Sequence, residues 1–220
     1  MGSIVILAGG FGSGKTEVAI NMAFDTAETV NNVVLADLDL VNPYFASRDA
    51  KKCLEDKEIR LLAPQGQLSF GDVPSVPPEI MGFIKQDNHM IIDLAGDEVG
   101  SLVLGYISNM VSARTNVEFL LVINPYRPFA ARLEDLIEMK KLLERAARLT
   151  FTGIISNPNL VEETDVDVII NGHRKVEHFA DILNIPIRYL AVEEKFFSQL
   201  LPIYEKKLKK IKLFLRPDWL

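Results

Sequence analysis

The stretch "LAGGFGSGKT", residues 7–16, sets four glycines, a lysine and a threonine behind the apolar run "SIVILA" at residues 3–8. Glycine costs backbone entropy, so a cluster of them marks a place where the main chain must come close to something. Gly9, Gly14, Lys15 and Thr16 satisfy the spacing G-x-x-x-x-G-K-(S/T). The stretch also follows an expected strand and opens an expected helix, "KTEVAINMAFDTAETV" (15–30), which is the context such a spacing requires. Loop amides turned inward and a helix N-terminus both attract phosphate oxygens. Lys15 adds a full charge, and the Thr16 hydroxyl is a hard ligand suited to magnesium. Gly9, Gly10, Gly12, Ser13, Gly14, Lys15 and Thr16 are therefore the expected polyphosphate cradle.

Working outward, the chain alternates short β-branched runs with helical patterns. Residues 3–8, 32–37, 59–63, 89–94, 118–123, 151–156 and 185–190 read as strands, nearly continuous in apolar side chains. Strands of that kind are covered on both faces, as in parallel sheets. The expected fold is α/β: a doubly wound, mostly parallel sheet of about seven strands with helices on both faces, in one domain over residues 1–220. Asn42 and Pro43 suit a helix start. Pro128 opens a long helix with Glu144 and Arg148 paired at i,i+4, and Thr164 suits the cap of a helix running to about Leu183. Residues 64–79, rich in Gly and Pro, read as a surface loop.

A nucleotide's metal and its attacking water need carboxylates. "VLADLDLVNPYF" (34–45) puts Asp37 and Asp39 at the end of the second strand, and "MIIDLAGDEVG" (90–100) puts Asp93, Gly96 and Asp97 at the end of another. Ligands of open α/β sheets bind at those ends. Asp97 suits helix capping equally well. "SNPNL" (156–160) offers Asn157, whose amide can both donate to and accept from an adenine edge. No N/T-K-x-D stretch of the guanine-reading kind follows it, so adenine is favoured. His89, His173 and His178 have no metal-ligand spacing.

The 220 residues carry a net charge of −6, which argues against a general nucleic-acid binder. A single cysteine, Cys53, excludes an internal disulfide framework and makes a reducing cytosol the expected location. The N-terminal run lacks the charged flank of a signal peptide. Residues 205–216 hold six basic residues and one acidic one. There Tyr204, Leu208, Ile211 and Leu215, spaced four, three and four apart, predict a basic amphipathic helix at about 204–216. The expectation is a helix docked on the domain; contact with a membrane or partner is the other reading. Because the nucleotide contacts lie upstream, loss of residues beyond Leu201 is expected to spare binding.

The order of phosphate loop, "DLDLVNP" and "IIDLAGD" resembles the MinD/ParA/CobQ class of P-loop ATPases, over the chain to about residue 195. The resemblance implies that Asp39 positions the attacking water, that Asp93 holds magnesium through water, and that Gly96 senses the γ-phosphate. Asn157 resembles the base-contacting asparagine of that class. Together with the loop, it implies catalytic roles for Lys15 and Asp39 and a metal site at Thr16, Asp37 and Asp93. ATP, ADP and Mg2+ are the implied ligands, with a protein partner or a homodimer. Gly10 stands where the class carries a second lysine, and Gly100 where some members carry a cluster cysteine. The function so implied is a slow ATPase switch. A phosphoryl-transfer or amidoligase-like enzyme acting on a small acid is the second reading, with an acceptor pocket between the loops at 64–79 and 97–104, and a nucleotide-gated scaffold the third.

Overall fold

A strand buried on both faces needs apolar side chains at consecutive positions, and this chain supplies them. In the computed structural model, which describes residues 2–38, 51–62, 78–96 and 98–215, all seven expected strands are present. They are β1 (Ile4–Ala8), β2 (Val33–Leu38), β3 (Arg60–Leu62), β4 (His89–Leu94), β5 (Val117–Ile123), β6 (Gly153–Ser156) and β7 (Ile187–Glu193). An eighth, β8 (Leu208–Ile211), lies in the basic tail. The sheet order is β3-β2-β4-β1-β5-β6-β7-β8, and every pairing is parallel. β1 and its loop therefore sit near the middle, and the carboxyl ends of all strands share one rim.

The helices are α1 (Lys15–Ala27), α2 (Lys51–Asp56), α3 (Pro78–Lys85), α4 (Glu98–Ser112), α5 (Pro128–Ala131), α6 (Leu133–Ala147), α7 (Val166–Leu183) and α8 (Glu194–Tyr204). Alternation along β1 sends Ile4, Ile6 and Ala8 into one core with Leu104 and Ile107 of α4 and Leu136 and Leu143 of α6. Leu7 points the other way, into a core with Val18, Ile20 and Met22 of α1 and Leu54 of α2. A third cluster joins Ile169 of α7, Leu190, Val192, Leu200 and Leu208. Truncating a fully enclosed residue such as Ile6 to alanine would cost about 2–5 kcal/mol. No helix among the described residues is long and apolar enough to cross a membrane.

Local structure departs from the sequence expectations at four places. The helix opened by Pro128 is interrupted at Arg132, whose extended backbone (φ −122°, ψ 150°) ends α5 and caps α6. The Arg132 guanidinium forks onto Asp135 at 2.7 and 2.8 Å, which fixes the new start. Glu144 pairs with Lys140 at 2.7 Å rather than with Arg148, because Arg148 has left the helix at a left-handed φ of 55°. Asp165, not Thr164, caps α7 by accepting from the Val168 N–H; Thr164 instead accepts from the Leu160 N–H.

The fourth departure is the tail. The expected helix at 204–216 is replaced by a 3-10 turn at Glu205–Lys207 followed by β8. Residues three apart share a face on a helix but oppose each other on a strand. Leu208 packs on the α7/α8 side of the sheet and Ile211 on the α1 side, so each face of this edge strand receives one apolar residue. The Asn42–Pro43 helix start and the loop at 64–77 lie outside the described residues, while Pro78 and Glu79 belong to α3.

Candidate functional site

The loop between β1 and α1 folds as its glycines require. Gly12 and Gly14 have φ of +72° and +88°, a region that side chains with a Cβ avoid, and Gly9 has φ +150°. Gly14 is the N-cap of α1 and brings no side chain to cap it. The first-turn N–H groups of a helix have no partner within it, so they face the concavity of the loop and carry the positive end of the helix dipole. The Gly10 carbonyl accepts from the Ser13 N–H at 3.2 Å and from Lys15 Nζ at 3.3 Å. Lys15 is buried, as is Ser13, whose Oγ has no protein partner, while Thr16 is half-buried at the helix start. A buried, unpartnered hydroxyl and a concave backbone that a Cβ would obstruct fit a bound polyphosphate.

Asp37 and Asp93 are the penultimate residues of β2 and β4, opposite each other in the parallel register. Both are buried, at 1% and 2% exposure. Counting in twos from Leu35 and Ile91 places both carboxylates on the α1 face of the sheet. Thr16 lies in the first turn of α1, the helix that packs on this face, and hydroxyl and carboxylate oxygens are the hard ligands that magnesium takes alongside water and phosphate. Among the described residues no three His, Cys, Asp or Glu side chains cluster as a protein-only metal cage. Gly96 presses on the loop: a Cβ there would lie 2.9 Å from the Phe11 nitrogen and 3.2 Å from Lys15 Nζ. The structure thus brings Lys15, Thr16, Asp37, Asp93 and Gly96 to one rim. Asp39 and Asp97 lie outside the described residues.

On the other side of the loop a cavity of about 250 Å³ opens along the rim. It runs from Gly12, Gly14, Glu17 and Val18 past Asn124, Asn157 and Asn159 to Glu193, Ile211, Leu213 and Leu215. Asn157 donates through Nδ2 to the Ser13 carbonyl at 2.8 Å, which ties β6 to the phosphate loop. Asn124 does the same between the β5 and β6 loops, donating to the Asn159 carbonyl at 2.8 Å. Asn159 Oδ1 accepts from the Val161 N–H at 2.7 Å, leaving its amide NH2 for the cavity.

Three features here were not legible as site residues in the sequence. Arg127 lays its side chain along the loop, with Nε buried, unpartnered and 3.4 Å from where a Cβ on Gly12 would stand. No spacing rule links it to the loop, because β5 brings it there. Phe129 and Met139 fill the space beside Gly10, where an added Cβ would come within 2.8 Å of the Phe129 Cβ. The tail also takes part: Ile211, Leu213 and Leu215 line the cavity that adjoins the loop.

No protein-family model and no curated protein sequence matches the chain. Solved structures match its fold. Cell division protein FtsY from Thermotoga maritima aligns at TM-score 0.57 and 17% identity, over 87% of this chain and 62% of that one. FlhF complexed with GTP/Mg2+ aligns at TM-score 0.53 and 14% identity, over 85% and 64%. The septum site-determining protein MinD complexed with Mg-ADP, from Pyrococcus horikoshii, aligns at TM-score 0.52 and 20% identity, over 90% and 84%. This chain thus spans about six-tenths of the matched FtsY chains, at 62% and 61% of their lengths. The resemblance to MinD holds at the level of fold and no finer, since FtsY-type structures align at least as well. The parallel eight-stranded sheet with helices on both faces is the α/β fold of the P-loop NTPases.

Proposed function

We propose that this chain binds ATP with Mg2+ and hydrolyses it slowly, as a switch for a partner protein. The observation that carries the reading is the loop itself: a left-handed glycine cap on α1, a buried Lys15 and an unpartnered buried Ser13 hydroxyl on one concave surface. Loop amides and Lys15 would hold the β- and γ-phosphates, and Thr16 with Asp93 would hold the metal, with Asp37 beside it. The metal would draw charge from the γ-phosphate oxygens. Asp39 would orient the attacking water. Gly96, touching both the loop and Lys15, would relay the presence of the γ-phosphate into α4.

Adenine is supported by neutral amides at the cavity. Asn157 keeps its Oδ1 as an acceptor and Asn159 its NH2 as a donor, a pairing that suits adenine's adjacent acceptor and donor. Slow turnover is supported by the apolar cover of Gly10, which leaves no cation at that position. The test is calorimetric titration of the wild type and Lys15→Ala with Mg-ATP and Mg-GTP. Saturable Mg-ATP binding in the wild type, lost in Lys15→Ala while circular dichroism is unchanged, is expected. Equal affinity in the two proteins would remove the loop from the mechanism. Tighter binding of GTP would overturn the assignment of the base.

A further inference from the structure

The tail crosses back over the helix that begins at the phosphate loop. Glu17, Asn21 and Asp25 stand four residues apart on α1, hence on one face. Each holds part of the chain from β8 to residue 215. Lys209 pairs with Asp25 at 2.6 Å. The Asn21 side chain donates to the Lys212 carbonyl and accepts from the Lys212 N–H, both at 2.8 Å. The Glu17 carboxylate accepts from the N–H groups of Phe214 and Leu215, and Phe214 stacks on Phe24 with ring centroids 4.9 Å apart. So fixed, Leu213 and Leu215 form the far wall of the cavity beside Gly14. Leu213 remains 40% exposed, an apolar surface that a flat base would cover.

We infer that residues 212–215 are a strap closing the nucleoside cavity, with Glu17 as its positioning residue, so that nucleotide occupancy and strap docking stabilise each other. The inference rests on the proposed nucleotide site and adds a regulated element to it. One helix serves both ligands: its N-terminus faces the phosphates, and the next residues on its flank hold the strap. Reciprocity is then obligatory, because whatever the strap adds to nucleotide affinity the nucleotide adds to strap docking. The docked carboxylate is held by those two tail amides. A glutamine would keep the accepting oxygen without the buried charge.

The experiment is hydrogen–deuterium exchange on the full chain, alone and with saturating Mg-ATP or Mg-GTP, together with affinities for Glu17→Ala and Glu17→Gln. Nucleotide should slow exchange in 212–215 roughly tenfold, alongside slowing in 9–16. Glu17→Ala should weaken nucleotide binding by roughly five- to tenfold and leave 212–215 exchanging fast, while Glu17→Gln restores both. If Glu17→Ala does not fold, the paired substitution Leu213→Ala, Leu215→Ala makes the same demand on affinity. Slowing confined to 9–16, or wild-type affinity in the alanine variants, overturns the strap and leaves the nucleotide site standing. No slowing anywhere with either nucleotide overturns both.

Discussion

Replacing Gly14 by alanine tests the joint between the phosphate loop and β6. Gly14 has φ +88° and ψ 21°, which costs an L-residue about 1–2 kcal/mol. A Cβ there would stand 2.3 Å from Asn157 Nδ2, so the hydrogen bond from Asn157 to the Ser13 carbonyl must break, costing about 1 kcal/mol more. The expected loss is about 2–3 kcal/mol. Asn157→Ala alone should lose only the hydrogen bond, about 1 kcal/mol. In the double variant the methyl group has the space the amide vacated, so the second substitution should add almost nothing. That is a coupling of about 1 kcal/mol between neighbours. Urea unfolding of the four proteins reads it directly. With a slope of about 2–3 kcal/mol per M, Gly14→Ala should lower the midpoint by about 1 M and the double variant hardly further. Strict additivity, or an unmoved midpoint in Gly14→Ala, would refute the contact.

Arg127→Ala should weaken Mg-ATP binding about tenfold or more, the scale of a hydrogen bond to a charged group, while leaving the urea midpoint nearly unchanged; calorimetry decides it. Gly10→Lys should destabilise the fold, because Phe129 and Met139 occupy that space, and Phe129→Ala should relieve it; thermal melts of the single and double variants will tell. Asp39→Asn should retain ATP but lose phosphate release, and a wild-type rate would move the water-positioning role elsewhere. His173 is enclosed against Ser156 Oγ at 2.9 Å, and burial holds its pKa below the usual value, opposed by Glu177 and assisted by Lys207. The unfolded chain therefore takes up this proton first as pH falls. The contribution of neutral His173 is complete above about pH 6.5 and is lost as pH falls below it. The urea midpoint should drop between about pH 7.5 and 5.5, less so in His173→Gln.

Much of this architecture is written in local sequence. The apolar runs that became β1, β2, β4, β5 and β6 are buried almost throughout, so their composition alone distinguishes them. The phosphate loop is legible for a different reason: positive φ at Gly12 and Gly14 restricts the residue choice at those positions. What escaped the sequence depends on distant partners. The spacing of Leu208 and Ile211 suits a helix in isolation, and only β7 and α1, standing ready on either side, make it a strand. Arg132 breaks a strong helical pattern with neither Gly nor Pro to announce it. Asn157 reads as a base contact, yet one of its donors is spent on Ser13, a residue 144 positions away. Arg127 and Phe129 flank the loop only because the sheet order puts β5 beside β1.

The contacts between α1 and the strap also bear on how the chain is made. Glu17 meets Phe214 across 197 positions, and Asn21 meets Lys212 across 191. At synthesis rates of about 5–20 residues per second, α1 leaves the ribosome some ten to forty seconds before its partners exist. During that interval Phe24, Asn21 and Glu17 face solvent, and the cavity has no far wall. If residues 212–215 close the site as proposed, a nascent chain would hold nucleotide less tightly until β8 emerges, and nucleotide capture would be a late event in its biogenesis.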